Sequence, residues 1–261
     1  MKIKKLFALM ALAAIFLPGC TKDKVTNLEE QIIGKWMKAD INGQPAPTNE
    51  KVVLTFISDT KATMSASIDH QEGGSPWDVL AEENVSINGN TVTLTGHPDE
   101  NRTVVDENNI TAINDKEFTT NRTITITMDG SEVVTRQFVD RFVKVTDDYK
   151  QAVLGTWEGH VTSEQSEYDD YLEHRWQYNN DGTYVYYNKD GNNWIPNPSN
   201  TLNEYFVDGK LLCMRWINNG TEYREWWEIA SIEDNVMSWT ALRKKADGTT
   251  YTASFSMVKV Q

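Results

Sequence analysis

Apolar and polar residues alternate along most of this chain. In the run NTVTLT, Val92 and Leu94 point to one side of an extended chain and the threonines to the other, and RTITITM repeats the pattern with Ile124 and Ile126. Successive side chains of a strand point to opposite faces, so these segments predict strands with one dry face and one wet face. Antiparallel sheets that are packed on one side have this pattern.

Turn dipeptides separate the predicted strands at short intervals. Asn-Gly and Asp-Gly pairs between alternating segments indicate tight hairpins. Only short helical segments are predicted, which argues against parallel α/β architectures. The sequence therefore predicts an all-β chain of antiparallel meanders. The dipeptides are Asn88-Gly89, Asp129-Gly130, Asp181-Gly182, Asp190-Gly191, Asp208-Gly209, Asn219-Gly220 and Asp247-Gly248.

The second half of the chain repeats the order of features in the first half. QIIGKW, which ends at Trp36, has its counterpart in AVLGTW, which ends at Trp157. VSINGNTVTLT matches YFVDGKLLCMRW, and the endings DRFVKV and SFSMVKV also correspond. Because both the order and the residue types repeat, we predict a duplication, with one domain over residues 26–145 and a second over 146–261.

Each predicted domain contains enough short strands for a small closed barrel, and closure removes the exposed sheet edges. The motifs GKW and GTW resemble the G-x-W start of lipocalins, in which a short helix leads to a glycine and a tryptophan enters the barrel floor. The resemblance implies two tandem lipocalin-like (calycin-like) barrels with Gly34, Trp36, Gly155 and Trp157 at their floors. Two β-sandwich domains are the alternative. Lipocalins also place an arginine over this tryptophan, and the resemblance suggests Arg141 in the first copy and Arg243 in the second.

The N-terminus has the pattern of a secretion signal. MKIKK is basic, and the apolar run LFALMALAAIFL is too short to span a bilayer. LPGC resembles the lipobox of bacterial lipoproteins, which implies a signal peptide over 1–19, lipid attachment at Cys20 and a tether over 20–25. Attached acyl chains hold a protein on a membrane. We therefore expect a lipid-anchored protein of the Gram-negative cell envelope, at the outer membrane. The sequence does not distinguish a periplasmic from a surface-exposed orientation.

Charge and cysteine content exclude one class of partner and one kind of covalent link. The formal net charge of −13 disfavours contact with phosphate backbones, so nucleic acid is not expected as a partner. Besides Cys20 the chain contains only Cys213, which rules out an internal disulfide in the mature protein. We expect Cys213 to be a small buried residue.

No catalytic signature occurs in the sequence. A nucleophile elbow, a phosphate-binding loop and metal-ligand spacings are all missing, so a non-enzymatic protein without metal or cofactor is expected. A hydrolase acting on glycans needs two facing carboxylates, which cannot be singled out among 38 acidic residues.

Aromatic residues are concentrated in the second copy. Trp36 and Trp77 are the only tryptophans of the first copy, whereas seven lie in the second. These rings either fill a narrower barrel or line a site, since flat rings with polar edges bind apolar ligands and sugars. The predicted ligand-binding residues are Trp176, Tyr178, Tyr184, Tyr186, Trp216, Trp226 and Trp239, with Tyr168 and Tyr171 in an acidic loop.

Two hypotheses of function follow from this pattern. In the first, the protein binds a small apolar or glycan-derived ligand through its aromatic second domain. In the second, the protein is an interaction lipoprotein that docks another envelope protein, because small barrels can be packed solid with side chains. A glycan-acting hydrolase is a third.

Overall fold

Alternating residues and tight turns fold most of the chain into antiparallel strands. The computed structural model describes residues 25, 27–68, 76–163, 173–198 and 200–260. Two nine-stranded sheets account for nearly all of the regular structure. The prediction of an all-β fold made of two antiparallel meanders is therefore confirmed. None of the helices in these ranges has the length and apolar character needed to cross a membrane.

The first sheet follows a short helix. Helix α1 covers Leu28–Gln31, and a single turn of 3-10 helix lies at Thr48–Glu50. The strands are β1 (Gly34–Ile41), β2 (Gln44–Pro45), β3 (Val52–Phe56), β4 (Lys61–Ala66), β5 (Asp78–Asn88), β6 (Thr91–Asp99), β7 (Arg102–Ile113), β8 (Glu117–Met128) and β9 (Ser131–Lys144).

Pairing between its first and last strands closes this sheet into a barrel. The strands run in the order β1, β3, β4 and onward to β9, and β1 pairs with both β3 and β9. Trp36 lies opposite Leu54 on one side and Lys144 on the other. The result is a closed barrel of eight strands, and β2 forms a small hairpin with β1 outside the ring.

The second sheet has the same strand order with one added hairpin. It runs β13-β12-β11-β10-β18-β17-β16-β15-β14. The strands are β10 (Gly155–Val161), β11 (His174–Tyr178), β12 (Tyr184–Asp190), β13 (Asn193–Pro196), β14 (Asn200–Asp208), β15 (Leu211–Asn218), β16 (Thr221–Glu233), β17 (Val236–Lys244) and β18 (Thr250–Val260).

The second sheet curls toward closure without a continuous ladder between β12 and β14. These strands meet at one bridge, Thr183 to Glu204, beside which the Tyr205 amide donates to the Gly182 carbonyl at 2.8 Å. The far part of β12 pairs with β13 instead. The second sheet is therefore a curled half-barrel, whereas the first is fully closed.

The two G-x-W motifs form equivalent floors. Trp36 and Trp157 are fully buried, and each indole Nε1 donates to a carbonyl four residues earlier, at 2.6 Å and 2.7 Å. A lysine ammonium covers each ring, Lys144 at 4.8 Å and Lys259 at 5.1 Å from the centroid. Gly34 has a φ of 125°, a backbone conformation that L side chains rarely adopt.

The arginines suggested for these floors are elsewhere. Arg141 pairs with Asp40 at 2.5 Å and Glu117 at 2.8 Å, and the cation over Trp36 is Lys144. Arg243 lies over Trp227, 4.8 Å from the ring centroid. The suggestion of an arginine cover was wrong, because a lysine at the end of β9 and a lysine next to the end of β18 lie over the two tryptophans.

An apolar patch with charged edges joins the two sheets. Its buried members include Met37 and Val53 from the first sheet and Phe206 and Cys213 from the second. Burial raises the pKa of the Cys213 thiol well above its usual value, as expected for a structural cysteine. Contacts across the edge include Lys35 with Asp208 at 2.5 Å, Lys51 with Glu228 at 2.6 Å, and the Trp226 indole with the Ser67 carbonyl.

Candidate functional site

A cavity of about 480 Å³ lies inside the first barrel. This volume falls within the range of small-molecule sites, about 300–1,000 Å³. The space exists because inward positions on three neighbouring strands carry small residues, Ala66 on β4, Ala81 on β5 and Gly96 on β6. Its apolar wall consists of Val52, Leu54, Met64, Leu94, Val104, Ile124 and Ile126.

The polar side of the cavity is built around a buried arginine. Arg122 on β8 donates to both carboxylate oxygens of Asp106 on β7, at 2.7 Å to 3.0 Å, and to Asp140 on β9 at 3.1 Å. Burial disfavours the charge of Arg122, but these carboxylates outweigh it and raise the arginine pKa. Three neighbouring strands are thereby joined by ion pairs within the barrel.

Lys38 extends the same network from β1. Its ammonium lies 3.6 Å from Asp140, and the side chain is almost completely buried. Burial, together with the charge of Arg122, lowers the lysine pKa to about 8. The Asn108 amide donates to Asp106 at 3.0 Å.

Glu83 is an acidic group of the cavity lining that lacks such partners. It occupies an inward position of β5, opposite Gly96 on β6, where an added Cβ would lie 2.5 Å from Glu83 Oε2. Burial raises the Glu83 pKa to about 7, and the charges of Asp78 and Asp106 add to the effect. Within the described ranges, Glu83 makes no hydrogen bond or ion pair. The barrel therefore holds a carboxyl group that exchanges its proton near neutral pH.

The second sheet covers the mouth of this cavity. The Arg215 guanidinium lies 4.7 Å from the Trp77 ring centroid, and Arg224 lies 5.7 Å from it. Arg224 also donates to the Pro76 carbonyl at 2.6 Å, and Phe206 packs edge-on against Trp77 with centroids 5.1 Å apart. The segment that enters β5 is thus held between the cavity and β15–β16.

Four of the predicted ligand-binding residues are buried among one another in the second sheet. Trp176, Tyr178, Tyr184 and Trp239 are each exposed by 4% or less. Trp176 lies 5.3 Å from Trp239 and Tyr178 6.2 Å from Tyr184, measured between ring centroids. Tyr186 is partly buried, and its hydroxyl lies 2.9 Å from His174 Nδ1.

The remaining predicted residues are divided between several places. Trp216 is partly buried and stacks on Tyr223, while Trp226 belongs to the patch between the sheets. Tyr168, Tyr171 and Cys20 lie outside the described residues. Ligand contact by any of these aromatic residues stays a prediction.

Strand register shows why the first barrel is hollow where the second sheet is filled. In the first sheet Leu54 lies opposite Trp36 and pairs in turn with Met64. In the second sheet the equivalent positions, opposite Trp157, are occupied by Trp176 and Tyr186. Gly96, two residues after Leu94 on β6, corresponds to Trp216 on β15. Large rings therefore occupy in the second sheet the space that is open in the first barrel.

The polar residues of the cavity were not predicted from the sequence, although the pattern of residues along β7 and β8 indicates them. The residues of β7 that face inward are Val104, Asp106, Asn108 and Ile110. Two polar residues therefore occupy positions of an alternating strand where apolar residues are expected. Arg122 interrupts β8 in the same way. Polar residues in the apolar phase are the pattern that predicts a buried network.

No group of histidine, cysteine and acidic side chains suited to a metal ion occurs in the part of the chain that the structure describes. No protein-family model matches the sequence, and no curated protein matches it. The chain is similar to two solved structures of transferrin binding protein B from Haemophilus parasuis, a double and a single mutant of a vaccine antigen. The identity is 8% to both and the TM-score 0.23.

These alignments cover 84% and 81% of this chain but only 62% and 61% of the two solved chains. The chain thus spans less than two thirds of their length. At this TM-score the likeness carries no argument about function.

Proposed function

We propose that the protein is a lipid-anchored envelope protein whose first barrel binds a small amphipathic molecule. The observation that carries this proposal is the cavity itself, which has an apolar wall from Val52 to Ile126 and polar groups at Asp106, Arg122 and Glu83. A concave apolar space with a few convergent polar groups is typical of small-molecule sites. The anchored state rests on the lipobox-like LPGC and Cys20 in the sequence.

The proposed ligand therefore binds in the first domain, and not in the second domain as the sequence suggested. The aromatic residues of the second sheet support its interior, while the first barrel offers volume that no side chain occupies. The role of the second sheet in binding is then to cover the cavity mouth through Arg215, which lies on the ring of Trp77.

Binding can be tested with the chain that begins at Thr21, which keeps every described residue. Tryptophan fluorescence and melting temperature are recorded against alkyl compounds, lipids, haem-like compounds and oligosaccharides. Ala81→Phe places a ring in the cavity and is expected to lower affinity about tenfold or more. Val79→Phe, on an exposed position of the same strand, is the control and leaves binding unchanged. If no compound of the panel changes the tryptophan fluorescence or the melting temperature, the proposal is contradicted.

A second candidate function is docking of another envelope protein through the second sheet. Trp216 and Tyr223 stack at 5.7 Å between centroids, and Tyr223 is 48% exposed, so this pair presents a ring to the outside. Aromatic residues are enriched at protein interfaces. Pull-down from intact membranes tests this function: a stoichiometric partner that is lost in Tyr223→Ala supports it, and its absence contradicts it.

A further inference from the structure

We infer that the ligand of the first-barrel cavity is an amphipathic cation, of the alkyl amine type, whose ammonium group pairs with Glu83. The inference rests on the proposed function, because it names the chemistry of the molecule that the cavity takes. It follows from the balance of charges in the cavity.

The ion pairs around Arg122 carry no net charge that could attract a charged ligand. Arg122 is engaged by Asp106 and Asp140, and Lys38 lies 3.6 Å from Asp140. Two cations and two anions therefore offset one another. A ligand anion would have to displace a carboxylate that already makes two short bonds to the guanidinium.

The cationic groups nearer the mouth are also engaged. Arg215 pairs with Glu204 at 2.5 Å and lies on the Trp77 ring. Arg102 lines the cavity with its own interactions. Neither residue offers a free positive charge to an anionic ligand.

Three carboxyl groups of the lining lie outside this balance, Asp78, Glu82 and Glu83. Glu82 is exposed, and the charges of Arg102 and Arg224 act on Asp78, whereas only like charges act on Glu83. Glu83 faces the cavity, and its neighbours on both sides of the strand are apolar or glycine. A partly buried carboxylate without a partner is unfavourable, and an ammonium at hydrogen-bond distance relieves this cost. The charged or titratable groups that line the same cavity are Asp78, Glu82, His97, Arg102, Asp106, Arg122 and Arg215.

Proton exchange at Glu83 gives the inference a pH signature. The carboxyl group has a pKa of about 7 in the empty cavity. An alkyl ammonium favours the ionised carboxylate, so amine binding releases a proton and becomes stronger as the pH rises through this value. A neutral ligand of the same length has no such dependence.

Three probes with the same chain and different head groups test the inference. Octylamine, octanol and octanoate are titrated by calorimetry into the chain that begins at Thr21, at about pH 8 and about pH 5.5. We expect octylamine to bind about tenfold more tightly than octanol at the higher pH, with the preference reduced severalfold at the lower pH. Titration in buffers of different ionisation enthalpy measures the released proton.

Matched variants assign the effect to one carboxyl group. Glu83→Gln is expected to abolish the preference for amine and its pH dependence while octanol still binds. Glu107→Gln, exposed on β7, is the control and keeps both. Equal affinity for amine and alcohol, tighter binding of octanoate, or an unchanged preference in Glu83→Gln overturns the inference and leaves the proposed function standing. If all three probes fail to bind, both are overturned.

Discussion

Arg215 of the second sheet lies 4.7 Å from the ring centroid of Trp77, at the mouth of the cavity in the first barrel. The same guanidinium pairs with Glu204, which holds it over the ring. A side chain from one sheet thus lines the cavity of the other. Under the proposed function, this contact links ligand release to the packing between the two halves of the chain.

Loss of this contact is expected to speed ligand release. Arg215→Ala removes the guanidinium that covers Trp77, and we expect the dissociation rate of bound octylamine to rise about three- to tenfold, as for loss of about 1 kcal/mol. Stopped-flow tryptophan fluorescence measures this rate. Arg175 is a matched control: it lies 4.7 Å from the Trp194 centroid and pairs with Glu158, away from the cavity. A similar increase in Arg175→Ala would show that the mouth contact is not responsible.

Glu83 is expected to make the fold less stable as the pH rises. Its pKa is raised from 4.5 to about 7, so the folded state keeps a proton that the unfolded state releases. The penalty is therefore absent below about pH 4.5, grows between about pH 4.5 and 7, and is complete above that range. Because Glu83 is only partly buried and solvent screens its charge, Glu83→Gln should raise the free energy of unfolding at about pH 8 by about 1–2 kcal/mol, with little change at about pH 4.

Urea unfolding of both proteins across this pH range measures the difference. Glu107→Gln, on the outside of β7, serves as the control and should show no such trend. A difference between Glu83→Gln and the unchanged chain that is independent of pH would rule out a raised Glu83 pKa as its source.

The buried ion pairs of Arg122 are expected to matter far more than similar pairs at the surface. Arg122→Ala leaves Asp106 and Asp140 buried beside each other's charge, and we expect a loss of about 3–5 kcal/mol in unfolding free energy. Arg141 also bridges two carboxylates, but it is 35% exposed, so Arg141→Ala should cost at most about 1 kcal/mol. Equal losses in chemical unfolding would contradict the distinction.

The glycine of each floor motif is expected to resist substitution. Gly155 has a φ of 112°, and an added Cβ would lie 2.9 Å from Lys259 Cε, which carries the ammonium over Trp157. Because the lysine chain can shift, the strained backbone dominates, and we expect Gly155→Ala to cost about 1–3 kcal/mol. Gly191, in a hairpin turn, has a φ of 58° with no atom near its Cβ position, so Gly191→Ala should cost about 1 kcal/mol. Thermal unfolding that shows the same cost at both positions would contradict a special role for the floor.

The strands and turns were predictable because they depend on neighbouring residues. Val92 and Leu94 face the interior as their alternation predicted, and Gly89, Gly130 and Gly209 take the positive φ that their hairpin dipeptides predicted. Local chemistry also placed Trp36 and Trp157 at the start of the first strand of each sheet.

The cavity of the first barrel was not predicted, because it depends on residues that are far apart in the sequence. Aromatic content pointed to the second copy, yet the rings of Trp176, Tyr186 and Trp216 fill interior space there. Glu83, from β5, shares its cavity with Arg122, from β8, and such proximity is set by the sheet as a whole.

The sequence by itself determined the antiparallel strands, the hairpins and the repeated G-x-W floors, because alternation and turn chemistry act over a few residues. Only the tertiary structure decided that β9 returns to β1 and closes the first sheet, and that the cavity lies there. The volume inside a barrel is what remains after the inward side chains of eight strands are placed. Leu54, Met64 and Gly96 leave that volume open, and their larger counterparts in the second sheet do not.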